Sequence, residues 1–138
     1  MYFAITPDFV RDVMGGGFED TVLIFMSCNG LKQGYYATAE AFEAKGVKVF
    51  ISWNGWIDPQ DNDEAIALLL DYLIDENNTI SEAVNKIPEY NSMYGSSKLK
   101  YDPTSSANYV IPDYRDSAVG SSMGFSAIAV PKRRAFSR

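Results

Sequence analysis

Thr21-Val22-Leu23-Ile24-Phe25-Met26-Ser27-Cys28-Asn29-Gly30 is the stretch on which the fold turns. Seven uncharged residues from Thr21 read as a strand buried on both faces, the usual state of a central parallel strand. Cys28 closes the run, and Asn29-Gly30 lets the backbone turn sharply behind it. Downstream, Asn29 to Gly34 leads into a helix over Tyr36 to Lys45, ended by Gly46. Val47 to Ser52 then reads as the next strand. A strand, helix, strand unit of this kind makes its strands parallel neighbours, with a right-handed crossover in nearly all known cases. Trp53-Asn54-Gly55-Trp56-Ile57-Asp58-Pro59 follows as a loop at the same carboxyl edge as Cys28, the edge at which open α/β sheets bind ligands.

Outward from this unit, Tyr2 to Ile5 reads as a short strand. Thr6-Pro7-Asp8 opens a short helix that presents Phe9, Val10 and Val13 on one side and stops at Gly15-Gly16-Gly17. Asp61 to Glu76 reads as a helix with acids at its positive end and a wide apolar surface centred on Ile66, Leu69, Leu70 and Leu73. Thr79-Ile80-Ser81-Glu82 is a capping box that opens a further helix, ended by Pro88. The chain thus divides into an α/β core over 1–88, an irregular Tyr, Ser and Gly-rich wrap over 89–124, a final strand over 125–131 and a basic tail over 132–138. Within the wrap, Asp102 to Ser106 reads as a turn and Tyr109 to Ile111 as a short extended piece. All of it is expected to form a single domain.

Composition excludes several classes of function. Eighteen Asp and Glu against twelve Lys and Arg, for a net charge of -6, give no basic footprint for nucleic acid. Cys28 is the only cysteine and the chain has no histidine, so neither an internal disulfide nor zinc-ligand spacing is available. No cofactor or metal is expected. The acids Asp58, Asp61, Asp63 and Glu64 lie close together, but the glycine and distal glutamate of a calcium loop are missing, and a solvated helix face accounts for them. Gly15-Gly16-Gly17 follows a helix and lacks the lysine and serine of a phosphate loop. No run of about eighteen apolar residues spans a membrane, and the apolar N-terminus lacks the basic flank of a signal peptide. The expected location is cytoplasmic, unless the chain is a piece of a longer exported protein.

A thiol where a strand meets a loop is a common place for a nucleophile, and a free cysteine is equally at home as a small buried hydrophobe. The usual proton acceptor for such a nucleophile cannot come from a histidine-free chain. A solvent-accessible redox-sensing thiol is a third use of the same residue.

Val22 to Gly30, Ala41-Phe42, Lys45-Gly46-Val47-Lys48-Val49-Phe50-Ile51-Ser52-Trp53 and Ile80-Ser81-Glu82-Ala83-Val84 together resemble the caspase-like cysteine peptidases. That group contains caspases, gingipains, clostripain, separase and the CHAT domains, and the gingipain and CHAT branches look closest. The resemblance covers roughly residues 20 to 87 and implies a three-layer α/β/α sandwich with a mostly parallel sheet, here incomplete. It implies that Cys28 is the family's nucleophile. The loop after Val47 to Ser52 would border the pocket for the residue before the scissile bond, with Trp53 and Trp56 as apolar walls and Asp58 or Asp61 receiving a basic side chain. The alternative for these residues is that the acids complement a helix N-terminus and one tryptophan belongs to the core.

The family's histidine, followed by glycine, precedes the cysteine strand, and the residues before Cys28 contain none. Two expectations follow. Either this is the cysteine-bearing half of a peptidase whose histidine lies in sequence outside this chain, acting on a peptide or protein, or it is a non-catalytic α/β interaction domain. A partner supplying the missing half, or a second copy in a homodimer, would cover the wide apolar surfaces.

Overall fold

The β-carbon alternation of one strand organises the protein. Val47–Trp53, β2 of the computed structural model, which describes residues 5–112, is buried at every position except Lys48. Val49, Ile51 and Trp53 point to one cluster, packed by Ala65, Leu69, Leu73, Ile80, Ala83, Val84, Ile87 and Leu99. Phe50, with Val47, joins Val10, Leu31, Ala39, Ala41 and Phe42 in a second cluster. From Val49 to Trp53 period-2 geometry thus gives β2 a core on each side, and Val47 joins the Phe50 cluster across the irregularity in the β1 pairing between Thr21 and Val22. Its partners are β1 (Thr21–Ile24), parallel, with Leu23 opposite Phe50, and β5 (Leu99–Asp102), antiparallel, with Trp53 opposite Leu99. The fold is a mixed α/β arrangement on a mixed sheet, β1-β2-β5, rather than a mostly parallel one.

Helix α1 (Ala37–Glu43) connects β1 to β2 and packs on β2 through Ala39, Ala41 and Phe42. Phe42 meets Phe18 edge-on and stacks on Phe50, at centroid distances of 5.7 and 6.1 Å. Gly46 ends the connection at φ +97, a backbone state that a side chain would oppose. Helix α2 (Pro59–Leu70) begins with proline at its first turn and runs into a wider turn over Asp71–Asp75. Helix α3 (Ile80–Lys86) has the expected capping box: the Glu82 N–H donates to Thr79 Oγ1 at 3.2 Å, and the Thr79 N–H donates to Glu82 Oε2 at 2.9 Å.

Several expectations are corrected. The strand at Thr21 stops at Ile24 and is half-buried throughout, because only β2 pairs with it among the described residues. Around Phe9–Val13 only Val10 is buried, while Phe9 and Val13 are exposed. In α2 and its extension the buried stripe is Ala65, Leu69 and Leu73, at spacings of four, and Leu70 faces solvent. The expected irregular wrap contains a hairpin, β3 (Tyr90–Ser92) with β4 (Gly95–Ser97), and then β5. Leu99 and Tyr101 alternate with Lys100 and Asp102, a short amphipathic strand in a stretch that reads as coil by composition. Tyr109 to Ile111 forms no strand. The Tyr109 carbonyl instead accepts the Ile80 N–H, and both Tyr109 and Ile111 pack beside α3. The strand expected from Tyr2, the end of the wrap, the final strand and the basic tail lie outside the described residues.

At the end of α1, the Glu43 carboxyl lies beside that of Asp102 on β5, and its Oε1 is buried with no hydrogen-bond partner among the described residues. Burial first, then the charges of Asp102 and Glu40, push its pKa up to about 7. An acid whose pKa is raised by folding stabilises the protein fully below its ordinary value of 4.5 and loses that contribution as pH rises through about 7. Glu76, held low by Lys86, and Glu82, held low by Thr79, act in the opposite sense in a more acidic range. With no histidine in the chain, no imidazole titrates in the same window. The thermal midpoint is therefore expected to rise as the pH is lowered from about 8 to about 5.5. Glu43→Gln should flatten that rise, and equal slopes in the two proteins would contradict the assignment.

Candidate functional site

The thiol is placed by the way β1 ends. The Phe25 N–H still donates to the Ile51 carbonyl at 2.8 Å, and the Ser27 N–H then turns back to the Phe25 carbonyl, also at 2.8 Å. Ser52, fully buried at the end of β2, brings its Oγ within 2.6 Å of the Phe25 carbonyl and 3.2 Å of the Ser27 carbonyl. One hydroxyl therefore ties the turn after β1 to the end of β2, where the regular ladder has stopped. Asn29 takes a left-handed conformation at φ 60, which asparagine tolerates better than most residues. Gly30 then lies flat against Ser52, where a β-carbon would fall 2.1 Å from Oγ. That close approach is why glycine follows Asn29.

Beyond the turn, the chain runs alongside the loop that leaves β2. The Leu31 N–H donates to the Trp53 carbonyl and the Asn29 N–H to the Gly55 carbonyl, each at 2.9 Å. Cys28 completes the series: its half-buried Sγ lies 3.5 Å from the Ile57 nitrogen, whose N–H it accepts, and 3.6 Å from the Ile57 carbonyl. These are the thiol's hydrogen-bond partners among the described residues. On its far side the loop is held by the segment joining β4 to β5. The Asn54 N–H donates to the Lys98 carbonyl, and the Lys98 N–H donates to Asn54 Oδ1 at 2.8 Å. A β-carbon at Gly55 would approach the Ser96 carbonyl to 2.8 Å.

Of the residues expected to line a substrate pocket, the structure separates the two tryptophans. Trp53 is fully buried: its Nε1 donates to Asn62 Oδ1 at 2.9 Å, and its ring meets Tyr90 edge-on. It is a core residue and not a pocket wall, since its place on β2 turns it toward α2. Trp56 is 49% exposed and lies against Tyr94, with ring centroids 5.3 Å apart. Asp58 is exposed at the N-cap of α2 and makes no side-chain cap bond, and Asp61 sits in the first turn. Burial, followed by the charges of Glu64 and Asp61, raises the Tyr90 phenol above its ordinary pKa. Asp61 thus belongs to the Tyr90 side of the loop.

Two features of the site escaped sequence reasoning. Ser52 reads only as a polar strand end, and the Ile57 backbone has no sequence signature. Met93 and Tyr94 are exposed at the tip of the β3-β4 hairpin, within the tyrosine-rich stretch. Asn29 Oδ1 is buried and has no hydrogen-bond partner among the described residues. Among the same residues, no group of three or more acids and Cys28 is arranged to hold a metal. Neither acid of the Glu43–Asp102 pair serves Cys28. Asp102 stands opposite Phe50, which stands opposite Leu23, so it is two strands away, about 9.5 Å, and several residues short of the thiol.

No family model, curated protein or solved structure matches the chain.

Gly30→Ala is expected to lower stability by about 1–3 kcal/mol, because the buried Ser52 cannot move aside without giving up its carbonyl contacts. Gly15→Ala, with nothing within 4 Å of the added carbon, should leave the urea midpoint nearly unchanged. Comparable losses in the two variants would remove the close approach from the account.

Proposed function

We propose that this chain is the cysteine-bearing part of a caspase-like cysteine peptidase domain. Cys28 is its nucleophile, and the histidine base is supplied by sequence outside the chain. In this reading the sheet, with α1 on one side and α2 and α3 on the other, is the incomplete middle layer of a three-layer α/β/α sandwich.

The observation that carries the reading is the position of Cys28. It lies just past the carboxyl end of β1 in a parallel β1-α1-β2 unit, half-buried beside the loop that leaves β2. Two further features support it. β1 is uncharged and half-buried, and it has β2 on one side only among the described residues, so its other edge offers main-chain groups to an added strand. Asn29 Oδ1, a buried acceptor on the residue that follows Cys28, suits a donor brought by the added segment. Trp56 and Asp58 then form the substrate side, with Tyr94 extending the aromatic surface, and the substrate is a peptide or protein.

In the reaction, the thiolate would attack the scissile carbonyl to form an acyl-enzyme. The histidine would take the thiol proton and pass it to the leaving amine, and water would release the acid. The described residues hold Cys28 against the Ile57 main chain and supply no side-chain base.

A second reading has its own observation. The thiol accepts from the Ile57 N–H and donates to the Ile57 carbonyl, a structural role, while Trp56, Met93 and Tyr94 present an exposed aromatic and thioether patch. That combination suits a non-catalytic domain that binds another protein.

The purified chain is expected to leave a peptide ester intact. A protein that also carries the upstream His-Gly segment should cleave the ester, and Cys28→Ala should abolish that cleavage. Hydrolysis by the isolated chain that depends on Cys28, or an extended protein whose activity survives Cys28→Ala, would overturn the assignment.

A further inference from the structure

Away from Cys28, the α1 side of β5 carries polar residues where β2 carries Phe50. Lys100 stands opposite Ser52, and Asp102 stands opposite Phe50. They form one wall of a groove of about 440 Å³, within the range of about 300–1,000 Å³ typical of small-molecule sites. Lys32 and Tyr36, at the entry to α1, form the other wall, with Asn54 and Thr104 also in the lining. Hydrogen-bond donors dominate this set. The carbonyl oxygen of Asn54 is already taken by the Lys98 N–H, which leaves its amide hydrogens for the groove.

Convergence of two lysines is unusual in a chain with net charge -6. Arg11, Lys48 and Lys86 form ion pairs with Asp8, Asp20 and Glu76, and Lys45 donates to the Met14 carbonyl. Lys32 and Lys100 form no ion pair among the described residues, and both are exposed. Asp102 is the one anion in the lining, and Glu43, whose charge it opposes, lies beside it outside the lining.

We propose that this groove binds a small oxyanion, a carboxylate or a phosphate-type group, between Lys32 and Lys100, and that the Glu43–Asp102 pair sets its charge. Tyr36, Thr104 and the Asn54 amide supply neutral donors. While Glu43 keeps its proton the pair carries one negative charge and the lysines are in excess. Once Glu43 ionises, which burial delays to about pH 7, the pair carries two charges and opposes the ligand. The charged groups around Glu43 are Asp102 from β5 and Glu40 from its own helix. On the other elements packed against α1 they are Lys48 of β2, paired with Asp20, and Arg11 and Asp12 of the first helical turn, Arg11 being paired with Asp8. The proposal is independent of any role for Cys28.

Sulfate and acetate are suitable probes, since both keep a constant charge across neutrality. Each would be titrated into the whole chain at fixed ionic strength while the backbone amide resonances of Gln33, Asn54 and Thr104 are followed by NMR. Saturable shifts at about pH 6 are expected. Saturation by sulfate alone would indicate a phosphate-type ligand, and saturation by acetate a carboxylate. Lys32→Gln with Lys100→Gln, both exposed and so compatible with folding, should abolish saturation. Affinity should fall about fivefold by about pH 8.5 in the parent, as an added charge nearby requires, and Glu43→Gln should keep the affinity found at low pH. Linear shifts with both ions, or saturation unchanged in the double lysine variant, would overturn the site. A parent affinity equal at both pH values would overturn the role of the acid pair.

Discussion

The hydroxyl of Ser52 is the point on which the rest of the structure depends. It sits where β1 gives up its ladder to β2, within hydrogen-bond reach of the carbonyls of Phe25 and Ser27, the first of which also accepts the Ser27 N–H. A hydrogen bond of this kind contributes about 0.5–1.5 kcal/mol, and it ties the turn just after Phe25 to the end of β2. The turn brings Gly30 against Ser52, sets Asn29 and Leu31 on the carbonyls of Gly55 and Trp53, and delivers the Cys28 sulfur to Ile57. Position, burial and neighbours of the thiol all follow from that junction.

Much of the core was legible in the sequence because two periodicities carried it. The run from Val47 to Ser52 is long and apolar enough to be a strand whichever face it shows, although the strand extends one residue further, to Trp53, and its parallel pairing with the Thr21 strand follows from the intervening helix. The Thr79 capping box could be read directly, since its chemistry is local. What could not be read depends on distant partners. Whether the Thr21 strand lies at the centre or the edge of a sheet is decided by neighbours that its own residues do not name. β5 was hidden because four residues of alternating character carry little signal among tyrosine, serine and glycine.

The candidate site divides along the same line. The residue types Cys28, Asn29 and Gly30 announced a turn at a strand end, and the turn is there. The two tryptophans are alike by sequence, yet a difference of three positions sends Trp53 along the β2 pleat into the core and leaves Trp56 in the open beside Tyr94. The Glu43–Asp102 pair was out of reach, because it joins the end of a helix to a strand that follows it by more than fifty residues. Together these features describe a sheet with chemistry on two sides, a thiol at the loop edge and a polar groove beside α1.

Amide hydrogen exchange in Ser52→Ala tests the central junction most directly. The account predicts that the amides of Asn29 and Leu31 lose protection together, while those of Lys100 and Asp102 within the β2-β5 pairing keep theirs. Unchanged protection at Asn29 and Leu31, with Ser52 removed, would show that the turn bearing Cys28 stands without the contact and would contradict the account.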